Sequence, residues 1–321
     1  MNLEPYIAPW WLPSGNLQTI YARTLTSAYA IHYRRERWET PDGDFIDLDW
    51  SDCNDADSKL LVVFHGLEGC SRSHYALSMM TLARQQRWRG AVPHFRGCSG
   101  ELNRLARSYH SGDSAEIDWI VRRLKADNPR SEIYVAGVSL GGNMLLKWLG
   151  EQGDKAFDVV ARAVAISAPV DLRAAASALD AGPRKVIYTR SFLDSLRPKV
   201  LAKIAAHQLK IDPAAVRACS TFREIDDLYT APIHGFTDAH DYWTRASSKP
   251  WLAHIQVPTL LINARNDPFL PVTVLPNDGG VSDSVTLDFP LSGGHVGFVS
   301  GNFPGNLAWL SNRIFQFYNL K

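Results

Sequence analysis

From residue 60 to 167 the chain alternates two apolar patterns. The run LLVVF (60–64), a run over 88–93, a run over 132–137 and RAVAIS (162–167) are almost continuously apolar. They read as strands covered on both faces. Between them, 73–86, 114–126 and 141–150 carry apolar residues at helical spacing; Ile117, Ile120, Val121 and Leu124 share one face. Strands alternating with helices predict a parallel sheet with helices on both sides. Upstream, DFIDLDW (44–50) alternates apolar and polar after Pro-Asp-Gly at 41–43, the second arm of a hairpin with 34–39. The alternation resumes at VPTLLINA (257–264) and SVTLDF (284–289), and a helix is expected over 305–318.

Between 170 and 250 the pattern breaks. This stretch is helical and basic, then turn-rich and aromatic, and is expected to be a cap inserted over the sheet. Pro198 is expected at a helix start, where its missing N–H costs nothing. The division that follows is an N-terminal extension (1–30), a core (31–169 and 251–321) and a cap (170–250).

A chain of 321 residues, 45% hydrophobic, can build one large core. Lys+Arg of 34 against Asp+Glu of 33 gives a net charge of +1, which does not ask for nucleic acid. The four cysteines form no C-x-x-C pair. No signal-peptide pattern and no run long enough to span a bilayer is seen, so a cytoplasmic protein is expected. There is no H-E-x-x-H, G-x-G-x-x-G or P-loop, so neither a metal nor a cofactor is expected.

The chemistry centres on GVSLG (137–141), a Ser between two glycines where an apolar run meets a helical one. It fits the G-x-S-x-G strand-to-helix elbow, whose Ser is strained and exposed. In chain order a carboxylate and a base should follow, each just beyond a strand. Asp267, after PTLLINA, and His295, in the Gly-rich LSGGHVGF, satisfy this order. Asp278, Asp283 and Asp288 lie further from the right strand end. An oxyanion hole is expected from the backbone N–H of Leu140 and of Leu67, in the loop HGLEGCS, with His65 and Gly66 beside the substrate.

These motifs resemble the YheT-like branch of the α/β-hydrolase superfamily, which includes eukaryotic abhydrolase-domain lipases. The resemblance covers nearly the whole chain. It includes GNLQTI (15–20), HGLEG (65–69), FRGCSG (95–100), YHSGD (109–113), GVSLGGN (137–143), FREIDDLYTAPIHGF (222–236), NDPFLP (266–271) and GGHVGF (293–298). It implies the α/β-hydrolase fold, a Ser139–Asp267–His295 triad and carboxylic-ester hydrolysis, with lipid esters as substrates in some members. The family often has His before x-Q-T, where this chain has Asn16, and Asp-Asp-Pro, where it has Asn266-Asp267-Pro268.

The leading reading is a serine esterase acting on a small-molecule or lipid ester. The runner-up is a lipase or phospholipase working at a membrane surface. Its sequence support is the basic stretch 184–210 (Arg184, Lys185, Arg190, Arg197, Lys199, Lys203, Lys210), with Leu193, Leu196, Val200 and Ile204 as an apolar face. The aromatic YIAPWWL adds to it. A non-catalytic binding module on the same fold is the third.

Overall fold

The computed structural model describes residues 5–53, 55 and 57–320. Residues 1–4 of the expected N-terminal extension lie outside the described residues. The strands are β1 (Arg34–Glu39), β2 (Phe45–Ser51), β3 (Leu60–Phe64), β4 (Arg89–Pro93), β5 (Ile133–Val138), β6 (Arg162–Ile166), β7 (Thr259–Ile262) and β8 (Val285–Asp288). They form one sheet in the order β1-β2-β4-β3-β5-β6-β7-β8. The β1–β2 and β2–β4 pairs are antiparallel, and all the others are parallel.

β3 shows why the apolar runs are continuous. Leu60, Val62 and Phe64 face a core shared with Ile117, Ile120, Leu145 and Leu149. Leu61 and Val63 face the opposite core, with Met79, Ala83, Ile314 and Phe315. Helices α1 (Gly15–Ala22), α2 (His74–Gln85), α3 (Ser114–Asp127) and α4 (Leu140–Gln152) precede β6. α3 and α4 thus cover one face, while α2 and the C-terminal helix cover the other. β2 is the second arm of the hairpin, and every residue of it is buried. Asp47 and Asp49 are buried because Arg37 and Arg35 of β1 fold over them, at 2.8 and 2.7 Å.

Between β6 and β7 the chain forms α5 (Leu172–Leu179), a wide turn at Lys185–Thr189, α6 (Arg190–His207), several shorter helices and α7 (Ala239–Ala246); α8 (Ala308–Tyr318) ends the fold. Two expectations fail in α6. Pro198 lies inside the helix, whereas Pro183 and Pro213 occupy helix starts. Nor does the apolar face of α6 look outward. Leu193, Val200 and Ile204 pack on Val216, Ile225 and Tyr229. Lys203 is buried and donates to the carbonyls of Asn103 and Arg107, each at 3.2 Å. This face is a packing seam, so the runner-up reading finds no membrane contact through it.

Candidate active site

β5 ends and α4 begins at Ser139, whose φ of 52° and ψ of −119° are costly for any residue with a side chain. Its N–H is held by the Ile166 carbonyl at 2.8 Å. The flanking glycines are explained by close approach. A Cβ on Gly137 would meet the Gly141 carbonyl oxygen at 2.5 Å, and one on Gly141 would meet those of His65 and Phe64 at 2.5 and 2.6 Å. Asn143, one turn into α4, donates to the carbonyls of Ser111 and Ala246 at 2.7 and 2.8 Å, which anchors the elbow helix to two neighbouring loops.

His295 sits in the loop after β8, and its Nε2 lies 2.9 Å from Ser139 Oγ. Its Nδ1 lies 2.9 Å from Asp267 Oδ2, in the loop after β7. With Nδ1 protonated, His295 donates to Asp267 and accepts from the Ser139 hydroxyl. Asp267 and His295 are both buried, and Asp267 Oδ1 also accepts the Phe269 N–H at 2.8 Å. The alternative carboxylates are elsewhere: Asp278 and Asp283 are exposed, and Asp288 pairs with Arg313 at 2.6 Å.

The loop bearing His295 is fixed by Asn266 and by Gln18, Thr19 and Phe269, which sequence reasoning did not single out. Three successive N–H groups are taken in turn. Gly293 donates to Gln18 Oε1 at 2.8 Å, Gly294 to Asn266 Oδ1 at 2.9 Å, and His295 to Thr19 Oγ1 at 2.8 Å. Gln18 and Thr19 belong to α1, in GNLQTI. Phe269 stacks on the His295 ring, with centroids 3.9 Å apart and planes 16° from parallel. The signals for all of them were the motifs themselves, GNLQTI and NDPFLP.

The loop after β3 runs alongside Ser139, and a Cβ on Gly66 would come within 3.1 Å of Ser139 Cβ. Gly66 N–H donates to Tyr75 and Glu68 N–H to Tyr109, both at 2.9 Å. Among the described residues the Leu67 N–H between them has no protein acceptor. Leu140 opens α4, so its N–H lies outside the helical ladder. His65 does not contact substrate space as expected. It is fully buried; its Nδ1 donates to the Gly66 carbonyl at 2.7 Å, and its Nε2 accepts the Phe95 N–H at 3.0 Å. Burial lowers its pKa to about 3, so it is a neutral brace for the loop.

Ser139 and His295 face two spaces. A cavity of about 660 Å³ runs from them to Ile20, Arg23, Arg72 and Ile187. A slot of about 90 Å³ leads the other way, between Leu172, Ala176, Leu179 and Phe222. Glu68 borders the larger cavity; its carboxylate accepts from Tyr109 OH at 2.9 Å and pairs with Lys199 of α6 at 2.7 Å. Among the described residues no group of His, Cys, Asp and Glu is set to hold a metal ion, and no helix is long and apolar enough to cross a membrane.

Comparison with known proteins places the chain in a family. Residues 59–301 match the family model described as the alpha/beta hydrolase fold. YheT of Escherichia coli (strain K12), named as a candidate esterase, is 40% identical over 304 residues, covering 93% of this chain and 88% of that protein. Phospholipase ABHD3 of Mus musculus is 28% identical, over 98% of this chain and 77% of its own. Monoacylglycerol lipase of Saccharomyces cerevisiae is 27% identical over 83% of this chain and 59% of its own. Among solved structures, the esterase Pf2001 of Pyrococcus furiosus superposes with a TM-score of 0.58 at 16% identity, covering 99% of this chain and 98% of its own. That likeness is one of fold.

Proposed function

Because the chain belongs to the α/β-hydrolase fold family, in the branch that contains YheT, we propose that it is a serine-dependent carboxylic ester hydrolase. The observation that carries this reading is the unbroken hydrogen-bonded chain from Ser139 Oγ through His295 to Asp267. Nucleophile, base and orienting carboxylate are already within reach of one another.

In this reading Ser139 Oγ attacks the acyl carbonyl carbon as its proton passes to His295 Nε2. The carbonyl oxygen gains the negative charge and is received by the N–H groups of Leu67 and Leu140. His295 then hands its proton to the departing alkoxide, leaving an acyl group on Ser139. Water, deprotonated by His295, attacks that acyl carbon; the bond to Ser139 Oγ breaks, His295 returns the proton to Oγ, and the acid leaves. Asp267 holds the His295 Nδ1–H and offsets the imidazolium charge in both steps. Gly66 lets the substrate come close to Ser139. The helices between β6 and β7 act as the cap.

The slot between α5 and Phe222 supports a short- to medium-chain acyl group, with the alcohol part in the larger cavity. Relatives named phospholipase and monoacylglycerol lipase support a second reading, in which the ester belongs to a lipid. The basic and apolar rim of the larger cavity favours it. Turnover of p-nitrophenyl esters of increasing chain length, with and without anionic liposomes, tests both. The account expects activity that Ser139→Ala abolishes; equal turnover by that variant overturns it.

A further inference from the structure

Exposed apolar side chains lie at the mouth of the larger cavity and on the segments joined to it. Ile20 of α1 and Ile187 of the wide turn line it, together with Arg23 and Arg72. Leu17 lies one turn before Ile20 and shares its exposed face. Val186, beside Ile187, is 66% exposed, Trp10 86% and Phe303 74%. The segments are joined. Tyr188 OH donates to Asn16 Oδ1 at 2.8 Å, linking the wide turn to α1. Trp11 packs edge-on against Tyr21 of α1 and against Phe303, at 5.0 and 5.4 Å. Single exposed apolar residues need no explanation, but several on linked segments beside a cavity mouth do.

Cations outnumber anions along this rim. Segments 5–25, 69–75, 181–193 and 296–306 hold Arg23, Arg72, Arg184, Lys185 and Arg190. The acids that flank these segments are engaged elsewhere: Glu68, which borders the cavity, pairs with Lys199 at 2.7 Å, Asp194 pairs with Arg197 at 2.6 Å, and Asp180 accepts the Phe222 N–H at 3.0 Å. Arg184 and Lys185 bond the Ala178 carbonyl and the Ser220 hydroxyl, at 3.3 and 3.1 Å. Neither forms an ion pair among the described residues.

We infer that this rim docks on the surface of an anionic lipid bilayer, so that the larger cavity opens onto the ester layer of the lipid. Cations around an apolar patch match headgroup phosphates around the acyl boundary. A second copy of the chain is a poor fit, because a two-fold contact through this face sets its cations against one another. The docking face is formed by α1, the wide turn and the 303 loop, and not by the buried face of α6. What enters the cavity rests on the serine-esterase reading; the docking itself needs no turnover.

The test is co-sedimentation of the full chain with vesicles of phosphatidylcholine alone or with phosphatidylglycerol added. The chain is expected to bind the anionic vesicles, and less so as salt is raised. The double variant Arg184→Gln/Lys185→Gln is expected to lower that partitioning roughly 30-fold. Trp10→Ser is expected to lower it on the order of tenfold. Both variants should hydrolyse a water-soluble p-nitrophenyl ester at the wild-type rate, since neither position lines the cavity. Ser139→Ala should bind vesicles like the wild type, which separates failure of docking from failure of the esterase reading. The proposal is overturned if the wild-type chain stays unbound with anionic vesicles, or if the Arg184/Lys185 variant binds them unchanged. It is also overturned if the chain ignores vesicles but forms a dimer that Trp10→Ser dissociates, which would make the rim a self-association face.

Discussion

The Thr19 hydroxyl accepts the backbone N–H of His295 at 2.8 Å, across 276 residues of sequence. The imidazole loop is therefore held from α1 as well as from its own strand. Thr19→Val keeps the shape and strands a buried N–H, a cost of about 1–3 kcal/mol. If that cost falls on the loop's working position, kcat drops roughly 5- to 150-fold, with KM little changed. Thr19→Ser restores the acceptor and is expected to recover activity. Steady-state kinetics on one soluble ester check both, and a Thr19→Val enzyme with normal kcat would contradict the bracing role.

Asp267 and Asn266 are neighbours with separate tasks. Asp267 receives the His295 Nδ1–H, while Asn266 Oδ1 receives the Gly294 N–H. Asp267→Asn loses the charge that stabilises the imidazolium, so kcat is expected to fall by up to roughly 10⁴. Asn266→Ala removes one loop brace and is expected to cost less than about tenfold, or 1.4 kcal/mol. Comparing kcat for the two variants decides it; the reverse ranking would move the orienting role away from Asp267.

Glu68 couples the loop after β3 to the helices above it. Its N–H donates to Tyr109 OH, and its carboxylate meets Tyr109 OH and Lys199. Glu68→Gln and Lys199→Met should each lower kcat/KM, and the double variant should lose less than their product. A double-mutant cycle is expected to give a coupling of at least about 0.5 kcal/mol. Strict additivity would mean that the pair does not act through its contact.

What was readable beforehand follows from local rules. Strands such as LLVVF stood out because both faces of the sheet are covered, and the elbow because Gly137 and Gly141 have no room for a Cβ. Asp267 and His295 were singled out by their place after strands. Features set by tertiary contact were not readable. A proline inside a helix costs about 3 kcal/mol, so Pro198 read as a helix start. Nothing in the spacing of α6 says that its apolar face meets Ile225 and Tyr229. Arg35 and Arg37 reach Asp49 and Asp47 only once β1 pairs with β2, so the burial of those aspartates is not legible in the alternation alone. His65 looked accessible until its two nitrogens were found bonded to Gly66 and Phe95.

Asp226 predicts a pH dependence of stability. It lies beneath the apolar slot, accepts from Trp243 Nε1 at 2.8 Å, and burial pushes its carboxyl up to about 7. An unfolded Asp titrates near 3.9. Between roughly pH 4 and 7 the folded state therefore binds more protons than the unfolded one, and this group's stabilisation is lost as pH rises through 7. Asp226→Asn removes that dependence. Urea denaturation at pH 5 and pH 8 should show the wild type losing up to about 3 kcal/mol more than the variant over that interval. Equal losses would show that Asp226 titrates normally.

The central claim is that Ser139 is the nucleophile, made reactive by its contact with His295. The most direct measurement is labelling with a serine-directed fluorophosphonate, read by intact mass and peptide mapping. The account predicts a single adduct on the peptide containing Ser139, absent in Ser139→Ala and strongly slowed in His295→Ala. A wild-type chain that stays unlabelled while hydrolysing esters, or a Ser139→Ala chain that labels and turns over normally, would contradict it.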